Sequence, residues 1–165
     1  MPVPLSLFGL MPKRNITRDR KGGYTLHLPA DERELLRSLP AQFRAVLQTD
    51  DPGLRRLFPP AYTDDDDAND EFQRLMREEL LEGKLAALEI VEQTAGADHL
   101  TAEQLEGWLG ALESLRLFLG TQLDVTEELY AVEIDPDDPS APALALYGYL
   151  SWLQEQAVEA LSSSL

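Results

Sequence analysis

Apolar residues recur every three or four positions from Leu35 to Leu161, and that period specifies helices. Leu35, Leu36, Leu39, Phe43, Val46 and Leu47 make the first stripe. Asp31, with Glu34 three residues on, reads as its N-terminal capping signal. Pro40 removes one helical hydrogen bond, yet the stripe keeps its phase across it. The sequence therefore predicts one kinked helix or two nearly collinear ones. Asp51-Pro52 opens a short single-turn element that closes at Phe58-Pro59-Pro60.

The second helix is expected from near Asp67 to near Gly96. Phe72, Leu75, Met76, Leu80, Ala87, Ile90 and Val91 share one of its faces, and Leu81, Leu85 and Leu88 lie opposite. Two apolar faces predict a central helix with neighbours on both sides. Gly83 falls in the middle of the first face, where glycine costs about 1 kcal/mol relative to alanine. The expected compensation is close approach of another backbone.

Thr101 and Gln104 form a capping box ahead of a third helix carrying Leu105, Trp108, Leu109, Leu112, Leu115, Leu119 and Leu123. Asp124 with Glu127 marks a further short turn, and residues 135–140 form a stiff polar loop. Leu146, Tyr149, Leu150, Leu153, Ala157 and Leu161 define a last amphipathic helix. Ahead of all this, Ile16–Arg20 and Tyr24–Leu28 alternate around Lys21-Gly22-Gly23, the pattern of a tight hairpin. A hairpin this short needs a surface to lie on. The expected fold is mainly α, a bundle of four long helices with a short N-terminal β-hairpin. It is expected to form one domain over 1–165, with the hairpin in 13–28 and the bundle in 31–165.

Composition narrows the functional classes. No apolar stretch approaches the roughly 18 residues of a membrane span. The apolar Met1–Met11 segment lacks the basic lead of a signal peptide, so a cytoplasmic location is expected. The absence of cysteine removes disulfides, thiolate catalysis and thiol redox switching. The net charge is −16, which argues against nucleic acid. Residues 1–56 are nevertheless net basic, with ten Lys and Arg against six Asp and Glu, whereas 85–165 hold fifteen acids and only Arg116. The stretch Lys13–Lys21 is the one place that could touch a phosphate, and it reads more simply as a solvated hairpin.

No phosphate loop, dinucleotide fingerprint, paired-histidine metal motif or nucleophile elbow is present. His27 and His99 read as surface residues, so no catalytic residue and no cofactor is expected. The acidic run Asp64–Asp70 is the alternative, a cation site or small metal-dependent enzyme. It fails the calcium-loop pattern, because a loop starting at Asp65 places Asp70 and Met76 where glycine and glutamate are needed. Acids ahead of a helix also complement its positive end. Arg116 falls on the third helix's apolar stripe and must be paired. Asp64, Asp65 or Glu71 at the start of the second helix are the expected partners, with a ligand-binding arginine as the other reading. Trp108, Tyr147 and Trp152 flank their stripes and are candidate partner contacts.

Several blocks together resemble a known family. They are Asp51-Pro52, the run Arg56–Tyr62 and Asp64-Asp65, and then Glu71, Leu75, Arg77, Leu80 and Leu81. Trp108 with Arg116–Thr121, and Tyr149–Gln154, continue the likeness nearly to the end of the chain. This order and spacing is similar to the AosR-like family. The resemblance implies a non-catalytic protein–protein interaction module of oxidative-stress transcription control. Its implied partner is a protein, such as the transcription machinery or a stress-linked adaptor. A homo-oligomer through an exposed helix face is compatible with that reading. Without cysteine, any redox input must come from elsewhere or be missing.

Overall fold

The computed structural model describes residues 15–58, 66–123 and 137–163, with side chains from residue 70 onward in the second of these. The hairpin pairs β1 (Ile16–Arg18) with β2 (Tyr24–Leu26) in antiparallel register, Thr17 opposite Thr25. Gly22 takes φ of 87°, a left-handed conformation open to glycine. The Asp19 carboxylate accepts from the Lys21 and Gly23 amides at 2.8 and 2.9 Å and closes the turn. A third strand, β3 (His99–Leu100), adds to β2 and completes a three-stranded sheet. Ile16, Tyr24, Leu26 and Leu100 point into the core, which provides the surface the hairpin required. Thr17, Thr25, His27 and His99 occupy the outer face, each histidine bonded to a threonine hydroxyl.

Four helices are described: α1 (Ala30–Leu47), α2 (Asp66–Thr94), α3 (Ala102–Leu123) and α4 (Ala141–Ser162). Helix α1 is continuous through Pro40. Its N-cap is Pro29, two residues before the expected Asp31, which lies inside the first turn and accepts from the Glu32 amide. The Thr101–Gln104 capping box forms reciprocally, at 2.9 and 3.1 Å. A 3-10 helix, Pro52–Arg56, follows α1 and is capped by Asp51, whose carboxylate accepts from the Gly53 amide.

Arg33 locks the sheet to the helices. Its guanidinium donates to the carbonyls of Leu26, Leu28 and Ala97 at 3.0, 2.9 and 2.6 Å, and pairs with Asp98 at 3.3 Å. The core runs through Leu36, Leu88, Leu105, Trp108, Leu112, Tyr149, Leu150 and Leu153. Phe43 of α1 and Phe118 of α3 meet at 5.3 Å between ring centres.

Helix α2 departs from expectation. Its C-terminal half is built in through Leu88, Val91 and Ala95, and Gly107 of α3 lets Ile90 come close. Its N-terminal half leaves Phe72, Leu75, Met76 and Leu80 at 60, 53, 42 and 39% exposure. Among the described residues nothing comes within 4 Å of a Cβ built at Gly83, so the expected close approach is not seen there. The helix is therefore central along half its length only.

Candidate functional site

The exposed part of α2 presents a stripe of Phe72, Leu75, Met76 and Leu80 about two and a half turns long. Contiguous exposure of large apolar side chains is uncommon on a folded chain and marks contact surfaces. Met76 and Leu80 also line a cleft of about 730 Å³ between α2 and the 3-10 helix. Arg55, Arg74 and Arg77 and the acids Asp50, Asp51 and Asp70 line the same cleft. The Arg77 guanidinium lies 4.3 Å from the Phe58 ring centre, so its charge rests on an aromatic face rather than closing the cleft. Apolar anchors with a mixed-charge rim are the make-up of a protein–protein contact.

A second apolar surface lies between α1 and α4. Leu39, Phe43, Leu115, Phe118, Pro142 and Leu146 wall a groove of about 330 Å³ in which Gln42 is the single polar residue among the described ones.

The residues singled out from sequence are spread over the molecule. Arg116 is half-buried and makes its described contacts with α4. Its Nε donates to the Ser151 hydroxyl at 2.8 Å, and its guanidinium lies 5.5 Å from the Tyr147 ring centre. Ser151 in turn donates to the Tyr147 carbonyl, which fixes its oxygen as the acceptor, so these contacts tie α3 to α4. Glu71 is exposed on α2, while Asp64 and Asp65 lie outside the described residues. Among the described residues no group of three or more His, Asp or Glu could hold a metal ion.

Trp108 is fully buried, with its indole N–H donating to the Thr94 hydroxyl at 2.7 Å, so it is a core anchor and not a partner contact. Tyr147 is half-buried against Arg116 and Gly120, and Trp152 is half-buried beside Tyr149. The apolar period of the α2 stripe reads as core, whereas the structure leaves it exposed. One signal pointed the other way, since Glu79 falls by helical angle between Leu75 and Met76, within the same face.

The DUF2017 family, described as a domain of unknown function, matches residues 13–161. The chain belongs to this family. Among curated proteins it is 29% identical over 153 residues to a putative oxidative stress regulator, AosR, of Mycobacterium leprae, covering 82% of this chain and 69% of that protein. It is 30% identical over 131 residues to the oxidative stress regulator AosR of Mycobacterium tuberculosis, covering 69% of this chain and 60% of that protein. No solved structure matches the chain. Within this DUF2017 chain the match takes in the sheet and all four helices, so both apolar surfaces fall inside the family's span. No helix among the described residues is long and apolar enough to cross a membrane.

Proposed function

We propose that this chain is a non-catalytic protein–protein interaction module in the regulation of the oxidative-stress response, acting on a protein of the transcription machinery or a stress-linked adaptor. The exposed stripe on α2 carries the reading. Phe72 and Met76 belong to the residue types enriched at interfaces, and Leu75 extends their apolar area. The cleft beside them adds three arginines that can pair with carboxylates on a partner's rim. The relatives' names, oxidative stress regulators, supply the biological setting. With no cysteine in the chain, oxidant sensing falls to the partner or to another component.

The test pairs binding with response. In cells lacking their own copy, the native chain should restore the transcript changes that follow peroxide. The Phe72→Glu, Met76→Glu chain should not, while folding as well as the native protein. Equal restoration by both chains would remove the α2 surface from the function.

A further inference from the structure

The chain contains no cysteine and three methionines, and Met76 is the one sulfur among the described residues. Methionine usually fills gaps inside a core. Met76 instead is 42% exposed on α2. It stands four residues after Phe72 and four before Leu80, so the three occupy one row of the helix with the sulfur in the middle. It also lines the cleft that holds Arg74 and Arg77. The accessible thioether therefore lies at the centre of the apolar stripe, and the packed core does not depend on it.

We propose, resting on the reading of α2 as an interaction surface, that Met76 is an oxidation site whose sulfoxide releases the partner, so that sustained peroxide ends the contact. The oxidant is hydrogen peroxide. A sulfur lone pair attacks one peroxide oxygen, the O–O bond breaks and an S–O bond forms. The sulfur gives up two electrons, and the departing oxygen takes the proton of the transferred hydroxyl and leaves as water. A neutral thioether lacks the anionic nucleophilicity of a thiolate, so it is oxidised by peroxide that thiol-based sensing elsewhere has already registered. Oxidation converts a flexible apolar side chain into a polar one. Pressed against an apolar partner face, the new oxygen loses its water without gaining a donor, and the contact should weaken about tenfold or more. The fold is spared, because the side chain is not packed in the core. Sulfoxide reductases, one for each epimer, regenerate the thioether and make the release reversible.

The purified chain treated with hydrogen peroxide should gain one oxygen on the peptide carrying Met76, and its thermal midpoint should move by less than about 2 °C. The pair of sulfoxide reductases should remove that oxygen. A photoreactive residue at position 72 then reads the contact in cells. Its partner adduct should form after a brief pulse of peroxide and fall about tenfold under sustained exposure. Met76→Leu keeps the apolar volume and has no sulfur, so its adduct should persist under sustained exposure. Met76→Gln should give the low yield after the brief pulse. No adduct under any condition overturns the reading of the α2 surface and the release with it. An adduct that forms and then persists in the native chain, or that falls equally in Met76→Leu, overturns the release alone. So does a Met76 that stays reduced, or a thermal midpoint that collapses on oxidation.

Discussion

Single residues decide how this fold closes, and Arg33 is the clearest case. One guanidinium satisfies carbonyls from β2, the loop after it and the loop that follows α2. Removing it leaves part-buried acceptors unpaired, which costs about 1–3 kcal/mol for each one shut off from water. Arg33→Ala should therefore lower stability in urea by about 2–4 kcal/mol. Arg33→Lys should recover little, because an ammonium cannot fan out to several carbonyls at once. Tyr149 gives a pH-dependent counterpart. Burial, reinforced by the neighbouring Glu32 carboxylate, pushes its phenol well above its ordinary pKa of 10.0. Below that value the phenol is neutral in both folded and unfolded chains. Above it the unfolded chain sheds a proton that the folded chain keeps, so stability falls as pH rises. Urea midpoints from about pH 8 to 11 should drop less steeply for Tyr149→Phe than for the native chain. Neither role could be read from the sequence. A lone arginine in an early helical turn looks solvated, and its acceptors come from segments more than sixty residues apart.

At the scale of elements, periodicity succeeded where one side of a helix meets one partner. The four helices, the Thr101–Gln104 box and the hairpin turn were all legible, because caps and turns are set by neighbours in sequence. The two-residue strand β3 was not, since two residues cannot show an alternation. Helix α2 misled for a different reason. An apolar face records that a side chain prefers contact, and it says nothing of whether this chain or another supplies that contact. Two glycines on α2 and α3 test the distinction. At Gly83, where an added Cβ meets nothing, Gly83→Ala should stabilise by about 0.5–1 kcal/mol through helix propensity alone. At Gly107 an added Cβ would stand 2.7 Å from Ile90 Cδ1 and 3.4 Å from its Cβ, so Gly107→Ala should cost about 1 kcal/mol or more despite the same gain in propensity. Thermal unfolding of the two variants should therefore move in opposite directions.

The whole molecule divides into a consolidated end and an open one. The sheet, the start of α1, the end of α2 and the middle of α4 share one packed core, tied by Arg33 and by the buried Trp108–Thr94 bond. At the other end the first half of α2 stands with its apolar stripe uncovered beside an arginine-bearing cleft. A net charge of −16 steers basic surfaces toward the chain, and on the proposed reading the local apolar anchors supply contact specificity. Substitution in the exposed stripe should separate binding from folding. Phe72→Glu with Met76→Glu should change stability by less than about 0.5 kcal/mol, as exposed positions do. The most direct measurement is therefore a crosslinking comparison. A photoreactive residue at position 72 in living cells under peroxide should yield one dominant adduct with a protein partner. That adduct should be lost when Met76→Glu is added, and the same residue at exposed position 86 should yield none. Equal adducts from positions 72 and 86, or an adduct unaffected by Met76→Glu, would contradict an interaction surface on α2.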